Sequence, residues 1–145
     1  MKRILVATDG SDGANRAVDY AAQLAKDDGA DLIIVNVVGS EGLLGNMFNR
    51  ITNAQEIWLK ELFSSESAKV LARAKDRAQS IGDSKIQLAS RIGDIAQTII
   101  DVAREMEADA IVVSKRGAGR IGGLLLGSVS QKLVSLAPLP VTVVP

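Results

Sequence analysis

The stretch ILVATDGSDGANRAVDYAAQLAKDDGADLIIVNVV, residues 4–38, changes its hydrophobic period twice. ILVAT, residues 4–8, is a continuous run of the kind found in a strand buried on both faces, and DGSDG ends it as a turn. Ala14, Ala17, Val18, Ala21, Leu24 and Ala25 then recur at helical spacing, with Ser11 or Asp12 placed to cap the start and Gly29 to end it. DLIIVNVV, residues 31–38, returns to the pattern of a buried strand. Strand, helix and strand in that order form a parallel crossover unit, because parallel neighbours need a long connection.

The rest of the chain repeats the alternation. Residues 39–52, GSEGLLGNMFNRIT, show neither period, and Leu43, Leu44, Met47 and Phe48 mark them as a lid or partner-contacting loop. A long helix is expected from about Asn53 to Ser80, with Leu62, Phe63, Ser67, Val70, Leu71, Ala74, Ala78 and Ile81 on its inner face. KIQLAS, residues 85–90, reads as a third strand. In GDIAQTIIDVAREME, Ile95, Ile99, Ala103 and Met106 share one side of a helix that Asp94 suits at its start. ADAIVVS, residues 108–114, a short helix from Ser128 to Leu136, and the strand PVTVV, residues 140–144, complete the pattern. Strict alternation implies an α/β fold, an open parallel sheet with helices on both faces. Ligands in such sheets bind beyond the carboxyl ends of the strands where the strand order reverses, which here sets Asp9 beside residues 114–119.

With 145 residues the chain suits one domain over 1–145, large enough to bury its own core. Seventeen Lys and Arg balance seventeen Asp and Glu, so no net positive field draws the chain to nucleic acid or anionic lipid. There is no Cys and no His, which removes thiol nucleophiles, imidazole bases and Cys or His metal sites. MKRILVATDG lacks the long apolar region of a signal peptide, and no run of eighteen apolar residues occurs. A cytoplasmic location, with no membrane partner, is the default expectation.

SKRGAGRIGGLLLGSVS, residues 114–130, has the parts of a phosphate site. Gly117 and Gly119 can turn backbone amides inward, and Gly127 precedes Ser128, Val129 and Ser130, whose amides would be first-turn donors of the next helix. Hydroxyls at 128 and 130 add two donors, while Lys115, Arg116 and Arg120 add local positive charge. The same residues also suit a glycine-rich connection with plain serine caps and solvated cations. Neither G-x-x-x-x-G-K-[ST] nor a G-x-G-x-x-G after the first strand is present. Asp9 would meet a nucleobase amine, a ribose hydroxyl or a metal ion, or it closes an Asx-turn within DGS. A phosphoacceptor receiver would need an acidic cluster that the chain lacks, and no residue stands out as a catalytic base. Binding accounts for these residues better than turnover does.

From ILVATDGSDGANRAVDYA through SRIGDIAQTII and DAIVVSKRGAGRIGGLLLGSVSQKLV to APLPVTVVP, the chain resembles the universal stress protein family along nearly its whole length. Members that bind ATP carry G-x-x-G-x9-G-[ST]. Here nine residues separate Gly117 from Gly127, Ser128 follows, and Ser114 stands in the place of the first glycine. The resemblance implies a Rossmann-like, adenine nucleotide alpha hydrolase-like sheet of five strands in the order 3-2-1-4-5. It implies that Asp9 and the backbone at Val37 hold adenine, that Ala7 and Ser114 line the ribose, and that Gly117, Gly127, Ser128, Val129 and Ser130 hold phosphates. A phosphate role for Lys115 and Arg116 follows from their charge. The implied ligand is ATP, or ADP or AMP, with Mg²⁺ carried mainly by the phosphates, and the implied activity is that of a sensor or regulator rather than an enzyme. The implied partner is a second copy joined through residues 140–144, which otherwise form an ordinary edge strand with Pro140 tolerated at its start. Family members without the motif act as dimeric interaction modules that bind no nucleotide, and Ser114 keeps that alternative open.

Overall fold

The computed structural model describes residues 1–39, 53–116 and 126–145. Of the loop expected at 39–52, Gly39 belongs instead to the second strand, and the rest, with Leu43, Leu44, Met47 and Phe48, lies outside the described residues, as do Gly117, Gly119 and Arg120. Strand β1 (Arg3–Ala7) is followed by helix α1 (Asp12–Asp28), whose N-cap Ser11 accepts a hydrogen bond from the Ala14 amide at 3.2 Å. Gly29 ends α1 at φ 67°, a left-handed conformation that glycine adopts without a Cβ clash. Then come β2 (Asp31–Gly39), α2 (Asn53–Gln79), β3 (Ile86–Gly93), α3 (Ile95–Glu105), β4 (Ala110–Ser114), α4 (Ser128–Leu136) and β5 (Val141–Val144). Asp94 caps α3 by accepting from the Gln97 amide at 2.9 Å.

The described strands pair in parallel, in the order β3-β2-β1-β4-β5 that the family resemblance implies. Alternation along each strand divides the core into two layers. Ile4, Val6, Leu32 and Ile34 pack under α1 and α2, while Leu5, Ile33, Val35 and Ile111 pack under α3 and α4. Since β1, β2 and β4 are covered on both faces, their sequences read as continuous apolar runs. Arg77 near the end of α2 holds Asp19 of α1 with two hydrogen bonds, 2.7 and 2.8 Å, fixing the two helices side by side.

Two further expectations are corrected. Leu62 is 43% exposed and does not belong to the inner face of α2, which Ser67, Leu71, Ala74 and Ala78 form, with Phe63, Val70 and Ile81 partly buried. The helix outruns its support: its 27 residues span about 40 Å, against about 30 Å for the nine residues of β2. The third strand also continues past Ser90 to Gly93, because β2 pairs with it up to Gly39↔Gly93.

The amino end of β1 is clamped to the loop before β4. The Asp109 carboxylate accepts from the backbone amides of Lys2 at 2.7 Å and Arg3 at 2.9 Å. The Arg3 amide first, and then that of Lys2, hold its pKa below the usual carboxylate range. A lowered folded pKa means that the stabilisation is complete above the ordinary aspartate pKa and is lost as pH falls through the lowered value. Asp109→Asn should therefore lower the urea midpoint at about pH 7, with the gap to wild type narrowing at about pH 2 to 3. An equal gap at both pH values would contradict the clamp.

Candidate functional site

At the carboxyl end of the sheet the strands stop at different heights. Pairing of β1 with β2 ends at Ala7↔Val35, after which the Thr8 amide makes one more bond, to the Val35 carbonyl at 2.9 Å. β2 continues for four residues beyond Val35. Peptide groups alternate edges along a strand, so Val37 faces the same edge as Val35, at the point that β1 has already left. Ala7 and Val37 both pack against the core layer under α3 and α4. The chain of β1 turns away through Thr8, whose Oγ1 accepts from the Gly10 amide at 3.1 Å, and Asp9, whose Oδ1 accepts from the Ser11 amide at 2.9 Å. The Asx-turn among the readings of DGS is thus present, and it holds Asp9 exposed at the lip of the notch.

On the other side of β1, β4 ends at Ser114, and the Lys115 amide donates to the Val144 carbonyl of β5 at 2.7 Å. The Lys115 carbonyl then accepts twice, from the Gly127 amide at 2.8 Å and from the Ser130 hydroxyl at 2.8 Å. These two hydrogen bonds to one oxygen latch the start of α4 to the bend at 115–116. A Cβ on Gly127 would lie 3.2 Å from the Lys115 carbonyl oxygen and 3.3 Å from the Arg116 Cα, so the approach is one that only glycine makes without displacement. From below, Gly13 in the first turn of α1 comes as close: a Cβ there would lie 3.0 Å from the Arg116 carbonyl oxygen and 3.6 Å from the Ser114 Cβ. The sequence does not single out Gly13, since Asp12-Gly13 reads as the tail of a turn.

The start of α4 carries the donors. Its N-cap is Gly127, which makes no side-chain cap bond, and Gln131 is the residue whose amide bonds back to the Gly127 carbonyl, at 3.0 Å. The amides of Ser128, Val129 and Ser130 precede that first helical bond and carry the positive end of the helix dipole. Ser128 is exposed. The Ser130 hydroxyl, expected as a further donor to a ligand, is directed instead to the Lys115 carbonyl and lies 3.0 Å from that of Gly127. Ser130 is only 1% exposed, and a buried hydroxyl takes the nearest acceptor. The bend residues Ser114, Lys115 and Arg116 are partly exposed, while Gly117 lies outside the described residues.

Beside this helix start is a cleft of about 150 Å³, lined by Gly39 and Gly93 at the ends of β2 and β3, by Asp94, Ile95 and Ala96, and by Ser128, Val129 and Lys132. Lys132 Nζ stands 4.0 Å from Asp94 Oδ1. Apart from Ser128 and Val129, these residues are absent from the sequence candidates. The signal available for them was the Gly93-Asp94 pair at the strand–helix junction. Among the described residues, no group of three or more acidic side chains could hold a metal ion, and no helix is long and apolar enough to cross a membrane.

A parallel sheet in the order β3-β2-β1-β4-β5, with helices on both faces and its switch point at the carboxyl end of β1, defines an open α/β domain. The sequence profile described as Universal stress protein family matches residues 1–145. The universal stress protein YxiE of Bacillus subtilis is 32% identical over 145 residues, covering 98% of this chain and 97% of that protein. A crystal structure of a universal stress protein in complex with cAMP is similar at a TM-score of 0.71 and 30% identity, covering 99% of this chain and 95% of that one. Universal stress protein UspA from Lactobacillus plantarum superimposes with a TM-score of 0.82 at 26% identity, covering 99% of this chain and 97% of that one. The chain belongs to the universal stress protein family.

The latch predicts a measurable cost. Ser130→Ala should lower stability by about 1 kcal/mol in urea unfolding, because the partly buried Lys115 carbonyl loses one of its two donors. A loss below about 0.3 kcal/mol would mean that the Gly127 amide alone holds the bend.

Proposed function

We propose that this protein binds an adenine nucleotide, ATP or else ADP or AMP, in the notch between the ends of β1 and β4. It then acts as a nucleotide-dependent sensor or regulator in the stress response. The observation that carries the reading is the start of α4: three backbone donors behind a glycine N-cap with no side-chain cap bond, latched to a bend bearing Lys115 and Arg116. Such a donor set fits phosphate oxygens. The cAMP complex of a relative at 30% identity supports the adenine part.

In this reading Asp9 and the Val37 backbone meet the base, and Ala7 and Ser114 line the ribose. The amides of Ser128, Val129 and Ser130 meet the phosphates, Gly127 lets the phosphates approach without a Cβ in the way while its own amide stays on the Lys115 carbonyl, and Lys115, Arg116 and Gly117 complete the anion-binding side. Mg²⁺ arrives with the phosphates, in keeping with the lack of an acidic cluster among the described residues. The chain supplies no imidazole or thiol, and Asp9 Oδ1 is engaged in its turn, so binding rather than hydrolysis is the assigned activity. The edge strand β5 pairs with its counterpart in a homodimer, and the protein is cytoplasmic.

The second reading, a dimeric interaction module that binds no nucleotide, rests on Ser114 in the place of a motif glycine. Against it, the Ser114 Cβ lies toward Gly13 of α1. The side chain is therefore turned to the α1 face of the sheet and not to the start of α4.

Freshly purified protein should release adenine nucleotide on acid denaturation, and titration calorimetry should give saturable ATP binding. Gly127→Asp should abolish both, but its side chain also presses on the 115–116 bend. Ser128→Asp is the cleaner variant: a carboxylate in the first turn of α4 keeps or raises thermal stability while repelling phosphate, so ATP affinity should fall at least about tenfold. Unchanged affinity in Ser128→Asp and Gly127→Asp would overturn the site. An empty wild type that takes up no added ATP would establish the second reading.

A further inference from the structure

A line of polar groups runs from the exposed Ser90 on the edge strand, through buried Ser67 and Asn36, to the turn that presents Asp9. The Asn36 side chain lies in β2 beside Thr8, one residue past the last β1–β2 pair, and its Nδ2 donates to the Thr8 carbonyl at 2.8 Å. Ser67 of α2 donates its hydroxyl to Asn36 Oδ1 at 2.7 Å. Ser67 Oγ is also 2.7 Å from Ser90 Oγ of β3. Ser67 has one proton, and Asn36 takes it, so Ser90 must donate in the second bond. The chain of hydrogen bonds thus has a fixed direction, Ser90 to Ser67 to Asn36 to Thr8, and joins β3, α2 and β2 to the turn after β1. Thr8, Asn36 and Ser67 are 5%, 7% and 2% exposed, and nothing in the hydrophobic packing requires polar groups there. Val70, one turn along α2 from Ser67, touches the same turn: a Cβ on Gly10 would lie 3.5 Å from its Cγ2. Gly10 has φ +81°, so that contact and the Thr8 bonds bear on a backbone conformation that glycine alone adopts readily.

We propose that Asn36 and Ser67 are positioning residues that suspend the Thr8–Gly10 turn from α2, and so set where Asp9 meets the base of a bound nucleotide. The role in recognition rests on the nucleotide reading above. The suspension of the turn does not. Removing the Ser67 hydroxyl leaves the Asn36 amide without the bond that orients it, and the Thr8 carbonyl loses a fixed donor where β1 has no further strand bond to β2. The base side of the site should then loosen while the phosphate side at α4, held by Lys115, stays as it is.

Two readouts on Ser67→Ala test this, with Leu71→Ala as a control that removes more buried volume from the same helix without touching the chain of hydrogen bonds. The first is amide hydrogen exchange by NMR in the ligand-free protein. The Gly10 and Ser11 amides should exchange about tenfold faster in Ser67→Ala and unchanged in Leu71→Ala. The second is affinity for AMP and for inorganic tripolyphosphate: AMP should bind about fivefold more weakly to Ser67→Ala, with tripolyphosphate unaffected. If Ser67→Ala does not fold, Asn36→Leu, close in volume and apolar, carries the same two measurements. Unchanged exchange at Gly10 and Ser11, or the same acceleration in Leu71→Ala, would overturn the proposal, as would equal losses for AMP and tripolyphosphate. A wild type that binds neither compound would sink the nucleotide reading, while the exchange experiment would still decide whether the turn hangs from Ser67.

Discussion

Everything at the site depends on β1 being the central strand and stopping early. It is covered on both faces and flanked by β2 and β4, so its direction and height are fixed by two ladders and two layers of side chains. Its neighbours continue, to Gly39 on one side and Ser114 on the other. The connection from β1 leaves over the face of α1, whereas that from β4 leads to α4 on the opposite face. The two connections therefore diverge at the carboxyl end of the sheet, and a notch opens between them. Strand length and crossover direction create it before any particular side chain is chosen.

What fixes the bend beside the notch is a single carbonyl. Lys115 O receives an amide and a hydroxyl from the first residues of α4 while its own amide is tied to β5. The bend cannot move without moving the helix start, and α1 crowds it from below through Gly13. Two glycines, at 13 and 127, are thus contacts between backbones as much as sites of conformational freedom. The fixed placing of the first amides of α4 follows from this crowding.

Much of this was legible in the sequence. The period changes in residues 4–38 gave the first crossover unit, the alternation gave the parallel sheet, and the bounds of α4 were as expected from Ser128 to Leu136. Gly127 was recognisable as the residue before a set of helical amides. Leu62 was misplaced because helical spacing marks a face and says nothing of where the supporting sheet ends. The hydroxyl of Ser130 was misassigned because its acceptor is fifteen residues away along the chain. The roles of Asn36 and Ser67 were hidden for a similar reason: each looks like a polar interruption of an apolar pattern, and they meet only because the fold brings together positions 31 apart in the chain.

The overhang of α2 has a practical consequence for anyone following this molecule by light. Its one tryptophan, Trp58, lies on that overhang and is 61% exposed, with Ile57 and Leu62 exposed nearby. The indole is already hydrated in the folded protein, so its emission will change little when the core melts. It will respond to whatever comes to lie on that end of the helix. Intrinsic fluorescence in this chain is therefore a sensor of contacts at the helix surface, and unfolding is better followed by circular dichroism.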